Sequence, residues 1–193
     1  MTSLAGLILC GGRSRRMGSE KALIPVEGVA LVLRVAERVG RAADPVILAP
    51  GRPGRLGLRG LPYPEVADVV ASAGPLAGVV AGLAASPHPL MAVVAVDLPF
   101  ASPELLRRLA ELYEGEDAVV PVSSSGPEPL HAVYSRESLP LLRAALSQRR
   151  LALRPVLEGL RVRWVEDPEW RVSDPSGRFA INLNRAEDLS LLG

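Results

Sequence analysis

Short apolar runs alternate along this chain with longer segments whose apolar residues recur at helical spacing. Leu4–Cys10, Pro45–Ala49, Leu90–Val96 and Ala118–Val122 are mostly apolar on both faces and bounded by turn residues. That is the pattern of strands covered by helices on both sides. Leu31–Arg41 sets Leu31, Val35 and Val39 on one face and Arg34, Glu37, Arg38 and Arg41 elsewhere, which predicts an amphipathic helix. Pro75–Ala85 and Ser102–Tyr113 also read as helices, the latter with Ser102 as N-cap and Pro103 at its first position. Further along, the pattern predicts a strand at His131–Ser135, a helix at Leu139–Gln148, a strand at Val162–Glu166 and a last helix at Ala186–Leu192. Gly51–Gly60 and Pro121–Pro129, rich in Gly, Pro and Ser, read as mobile loops. Alternating strands and helices predict an α/β fold with a mostly parallel sheet, in one domain over residues 1–193 without repeat or linker. Ligands of such sheets bind beyond the carboxyl ends of the strands.

Composition narrows the partners. Of 193 residues, 48% are hydrophobic and 22% charged, ordinary for a globular protein. A net charge of +1 argues against a nucleic-acid binder or a membrane-surface protein, which would carry a larger basic excess. From Arg13 to Arg59, however, basic residues outnumber Glu20, Glu27, Glu37 and Asp44, so an anion site belongs in the N-terminal third. Cys10 is the only cysteine, which excludes an internal disulfide and a multi-cysteine metal site. The start lacks the pattern of a signal peptide, and no apolar stretch approaches the ~20 residues that span a bilayer. A cytoplasmic location is expected. The wealth of Arg, Pro, Gly and Ala, with Thr2 and Gln148 alone of their kinds, suits a GC-rich genome or a heat-tolerant protein.

Charge chemistry supplies the strongest signal. Lys21 is the sole lysine among 22 basic residues. A sequence that otherwise writes every cation as arginine keeps here a compact ammonium that a planar guanidinium does not replace. It closes Gly11-Gly12-Arg13-Ser14-Arg15-Arg16-Met17-Gly18-Ser19-Glu20-Lys21, directly after the first apolar run. A buried strand, then glycines, then converging cations builds a phosphate cradle. The spacing is neither that of a Walker loop nor Gly-x-Gly-x-x-Gly. What remains is a backbone open to an anion at Gly11 and Gly12, with Arg13, Arg16 and Lys21 near the charge, while Arg15 is as well placed in solvent.

Asp97 ends a uniformly apolar run, at the sheet edge where ligands bind, and Asp-Leu-Pro-Phe fixes it by a proline turn. One carboxylate with substrate phosphate and water suits Mg²⁺. Asn182 and Asn184 are the only asparagines; two apart in an extended segment, they would face one way. The plain alternative is a turn residue and an N-cap. Gly74-Pro75-Leu76-Ala77-Gly78 opens a helix with small residues, either for a ligand's approach or for close helix–sheet contact. Asp68 lies in a loop. Cys10 reads as a small buried hydrophobe, His88 as a surface residue, and His131 as a residue of the Pro129–Tyr134 stretch that faces the same cleft. Trp164 and Trp170 read as core or rim.

In this order, these residues resemble the nucleotidyltransferases, and more narrowly the molybdenum cofactor guanylyltransferase family. The likeness rests on Leu9-Cys10-Gly11-Gly12 through Gly18 with Lys21, on Gly74 to Gly78, on Asp97-Leu98-Pro99-Phe100, on Pro129-Leu130 with Tyr134, and on Asn182-Leu183-Asn184. It covers nearly the whole chain. The resemblance implies a Rossmann-like three-layer fold of the nucleotide-diphospho-sugar transferase type, and transfer of GMP from GTP to the phosphate of molybdopterin with release of pyrophosphate. By position, Leu9, Cys10, Gly11, Gly12 and Arg13 would meet the nucleotide, with Gly74 and Gly78 alongside. Lys21 and Arg16 would act on its phosphates, Asp68 would hold the guanosine part, and Asp97 would bind Mg²⁺. Asn182 and Asn184 would lie toward the pterin phosphate. Implied partners are GTP, molybdopterin and possible recipients such as molybdoenzyme apoproteins or other cofactor-biosynthesis proteins. Two positions depart from the family's pattern: Ala49-Pro50 follows the second strand where a polar residue is common, and Glu20 stands where aspartate is usual. Rival readings are a nucleotidyltransferase using CTP or a sugar phosphate, a GTP-binding adaptor without turnover, and a scaffold that delivers cofactor.

Overall fold

A computed structural model describes residues 3–11, 20–57, 60, 62–70, 73–183 and 188. Its ten strands, in chain order, are β1 (Leu4–Leu9), β2 (Pro25–Val26), β3 (Val29–Ala30), β4 (Val46–Gly51), β5 (Glu65–Ala67), β6 (Leu90–Ala95), β7 (Ala118–Ser123), β8 (Gly126–Pro127), β9 (His131–Ser135) and β10 (Val162–Val165). Five α-helices, α1 (Leu31–Gly40), α2 (Pro75–Ala85), α3 (Pro103–Glu111), α4 (Leu139–Ser147) and α5 (Leu153–Leu157), are joined by short 3₁₀ turns.

The main sheet runs β10-β7-β9-β6-β1-β4-β5, with β8 folded onto β7. All neighbours along it pair in parallel except at β9, which is antiparallel to both β6 and β7. Side-chain alternation gives the central strands β1, β6 and β9 two buried faces. Leu4 and Ile8 of β1 join Leu90, Ala92 and Val94 of β6 on the side covered by α1 and α3, while Ala5 and Leu7 join Met91 and Val93 on the side of α2, α4 and α5. No described helix is long and apolar enough to cross a membrane.

The helices expected at Leu31–Arg41, Pro75–Ala85, Ser102–Tyr113 and Leu139–Gln148 form there, give or take a residue or two at the ends. Ser102 caps α3, its Oγ accepting from the Leu105 N–H at 3.3 Å. α2 is different in kind: Leu76 to Leu83 are all buried, because small residues let it lie directly on the sheet. A Cβ on Gly82 would come within 2.6 Å of Leu7 Cδ2, and one on Gly78 within 2.6 Å of Leu9 Cδ2.

Three features differ from the sequence reading. Pro121–Pro129 is a β-hairpin rather than a mobile loop: β7 continues to Ser123, turns, and returns as β8. Glu128 N–H closes it on Pro121 O at 2.9 Å, and its carboxylate accepts from Ser123 Oγ at 2.6 Å. The described part of Gly51–Gly60 is pinned, with Leu56 buried in the core and Gly54 N–H donating to Glu65 Oε2. His131 lies in the core, not on the cleft. It is fully buried 5.0 Å from the Phe179 ring, and its Nε2 accepts from Ser102 N–H at 3.0 Å. The last helix predicted at Ala186–Leu192 lies outside the described residues save one.

Candidate active site

Topology sets the position of the site. From β1 the chain passes through α1 to β4 on one flank, then through α2 to β6 on the other, so strand order reverses at β1. A crevice opens at such a reversal, beyond the strands' carboxyl ends. The register is level there: Leu9 pairs with Ala49 on one side and with Ala95 on the other. The ladder runs on, through Cys10 N–H to Ala49 O and Val96 N–H to Leu9 O, both at 3.1 Å. Three strand ends therefore reach the mouth together: Cys10-Gly11, Pro50-Gly51 and Val96-Asp97.

They line a cavity of about 1060 Å³ that also takes in Glu20, Lys21, Arg55 and Asp68. A Cβ on Gly11 would lie 3.1 Å from Gly51 N and 3.2 Å from the Pro50 carbonyl carbon, backbone atoms that have no rotamer by which to withdraw. Glycine is needed so that the ends of β1 and β4 can close on each other. Gly74, which opens α2, has φ of 71°, the left-handed region.

Lys21 begins the turn that follows the loop, and its Nζ lies 3.3 Å from Asp97 Oδ2. The ammonium also donates to the Leu183 carbonyl, while Leu183 N–H donates to Asp97 O at 2.9 Å. The buried Leu183 thus fastens the C-terminal segment to both charged residues. Asp97 presents one hard carboxylate on the cavity wall, and among the described residues no three His, Cys, Asp or Glu side chains gather to cage a metal. Such a donor set fits Mg²⁺, whose remaining positions go to substrate phosphate and water, and does not fit a structural zinc.

Across β1, Asp68 N–H donates to Gly51 O at 3.0 Å, and burial pushes its carboxyl upward from the ordinary range, with the Arg55 guanidinium opposing. Arg55 donates from Nη1 to Pro50 O at 2.9 Å and from Nη2 to Glu20 Oε1 and Oε2 at 2.9 and 2.7 Å. Burial pushes the Cys10 thiol up to about 12, with Glu65 adding to the shift, so it is no nucleophile.

Of the residues singled out from sequence, Leu9, Cys10, Gly11, Lys21, Asp68, Gly74, Gly78 and Asp97 line this one cavity. Asn182 does not line it; it is exposed and donates to Ala180 O at 3.2 Å. Gly12, Arg13, Arg16 and Asn184 lie outside the described residues. Sequence reasoning missed Glu20 with Arg55 and the Leu183 backbone. Nothing in the spacing sets Arg55 apart from the other arginines, and a backbone carbonyl has no residue signature.

A level crevice at the strand-order reversal, closed by glycines and holding an ammonium against a carboxylate, is a ligand site of the α/β type, and the comparisons make it that of a nucleotidyltransferase. Residues 6–164 match the MobA-like NTP transferase domain, and the chain belongs to that family. A probable molybdenum cofactor guanylyltransferase of Pelotomaculum thermopropionicum is 36% identical over 192 residues, covering 98% of this chain and 91% of the relative. The molybdenum cofactor guanylyltransferase of Desulfosudis oleivorans is 32% identical, covering 98% and 94%. Among solved structures, molybdopterin-guanine dinucleotide biosynthesis protein A of Archaeoglobus fulgidus superposes with a TM-score of 0.85 at 27% identity, covering 97% of this chain and 96% of that one. A cytidylyltransferase of Thermus thermophilus, 19% identical with a TM-score of 0.65, shares the fold.

Proposed function

We propose that this chain transfers GMP from GTP to the phosphate of molybdopterin, forming molybdopterin guanine dinucleotide and releasing pyrophosphate. An acceptor phosphate oxygen attacks the α-phosphorus, and the bond to the β-phosphate oxygen breaks in line. Both reactants are anions, so the residues that suppress their repulsion and align them do most of the work. Lys21 holds its ammonium where charge grows on the α-phosphate and the leaving pyrophosphate. Gly11 lets backbone approach the phosphates, and Asp68 takes the guanosine end. Mg²⁺ bound at Asp97 would supply further positive charge to the same oxygens. No covalent nucleophile enters, which accords with a Cys10 thiol held protonated. The reading places the work in one domain in the cytoplasm, with molybdoenzyme apoproteins or other cofactor-biosynthesis proteins as recipients.

The observation that carries this reading is the meeting of Lys21 and Asp97 at 3.3 Å on the wall of the strand-end cavity. Its test is pyrophosphate release from GTP, CTP, ATP and UTP, each with and without molybdopterin and with and without Mg²⁺. Release is expected with GTP only when both acceptor and Mg²⁺ are present. Preference for CTP or a sugar-phosphate acceptor would make the chain a different nucleotidyltransferase, and GTP binding without any release would make it an adaptor.

A further inference from the structure

Glu20 and Lys21 are neighbours in the chain, yet their side chains reach to opposite flanks of β1. The Lys21 ammonium lies 3.3 Å from Asp97 Oδ2 beyond the end of β6. The Glu20 carboxylate instead accepts through both oxygens from Arg55 Nη2, at 2.9 and 2.7 Å, in the loop that follows β4. Glu20 makes no side-chain bond to the 3₁₀ turn it precedes, so its carboxylate serves no local cap. Its partner is itself fixed. Arg55 Nη1 donates to Pro50 O at 2.9 Å, the adjoining Leu56 is buried, and Gly54 N–H donates to Glu65 Oε2 of β5. The side chains of Arg55 and Glu20 are only 23% and 27% exposed, so water and salt screen the pair less than one on the open surface.

A lysine side chain is a flexible stem, so where its ammonium comes to rest depends on how firmly its backbone is held. Ala22, buried in the core, holds the chain just after Lys21, and the Glu20–Arg55 pair holds it just before. We propose that Glu20 and Arg55 are positioning residues for the transfer. Their ion pair fixes the peptide that carries Lys21 across the mouth of β1 and so keeps the ammonium against Asp97. The proposal rests on the guanylyl-transfer reading above and adds the two residues that set the place of its central cation. Both act through Lys21, and a shift of about 1 Å in a group that aligns reactants costs on the order of 100-fold in rate.

The test is a mutant cycle on the full chain, read by single-turnover pyrophosphate release from saturating GTP with molybdopterin and by equilibrium binding of GTP. Arg55→Met and Glu20→Gln are each expected to slow release about 10- to 100-fold while GTP affinity stays within about threefold of wild type. The two losses should not add, because either substitution breaks the same link. Arg55→Lys, which can still pair with Glu20, should recover most of the rate. In Lys21→Ala no ammonium is left to place, so adding Arg55→Met should slow release by less than about threefold. If Arg55→Met does not fold, Glu20→Gln in the same two backgrounds carries the comparison. Three results would overturn the proposal: unchanged release in both single variants, a loss of GTP affinity as large as the loss of rate, or a full further loss in the Lys21→Ala background. The second would make Arg55 a direct nucleotide contact, and the third a purely structural one. A wild-type chain that releases no pyrophosphate from GTP with molybdopterin would instead remove the functional reading, and this proposal with it.

Discussion

His131 shows how far a residue's environment can depart from its neighbourhood in sequence. Preceded by Leu130, which lines the cavity, it turns inward and accepts from the Ser102 N–H, which leaves its proton on Nδ1 without a hydrogen-bond partner among the described residues. Burial pulls its pKa from 6.5 down to about 4; Asp174 opposes that shift and Arg38 reinforces it. Between those pH values the unfolded chain binds a proton that the folded chain refuses. Stability from this group is therefore full above about pH 6.5 and is lost as pH falls toward 4, by on the order of 3 kcal/mol. His131→Gln, which retains an acceptor for Ser102, is expected to flatten that part of the urea-unfolding stability between pH 7 and 5. An unchanged slope in the variant would show that other groups set it. Lys21 and Asp97 were legible in the sequence because each is an anomaly, one a lone ammonium among arginines, the other a charge ending an apolar strand. Arg55 carries no such mark, since only the fold brings it back to Pro50 and Glu20.

At the scale of elements, periodicity located the strands and helices that have two buried faces or one apolar stripe. It failed where few residues or turn-forming residues make a strand. β5 has three residues, and the β7–β8 hairpin is written in Pro, Ser and Gly, whose composition reads as loop until cross-strand pairing overrides it. α2 was placed correctly, but its two glycines do different work. Leu7, against which Gly82 packs, is fully buried and cannot yield, so Gly82→Ala is expected to destabilise the fold by roughly 1–3 kcal/mol in urea unfolding. The Leu9 methyl that Gly78 touches belongs to a cavity-lining side chain that can swing into the nucleotide space. Gly78→Ala is expected to cost less stability and to weaken GTP binding about 10-fold. Equal effects of the two substitutions on unfolding and on binding would refute that division.

Over the whole molecule, the order of motifs foretold the architecture but not the strand order, because pairing partners are set by crossovers that no local pattern encodes. That order gives the site its shape: β4 and β6 flank β1, so Arg55 and Asp68 fall on one side of a glycine-closed strand and Lys21 with Asp97 on the other. Leu183 then returns from the far end of the chain to brace Lys21 and Asp97, so residues distant in sequence build one wall of the cavity. The most direct measurement is pyrophosphate release from GTP and molybdopterin by Lys21→Arg beside the wild-type chain, with thermal unfolding recorded for both. A guanidinium preserves charge but not the compact contact with Asp97 and Leu183, so kcat is expected to fall about 100-fold at an unchanged unfolding midpoint. Turnover within about threefold of wild type would contradict the account, because the ammonium would then be replaceable.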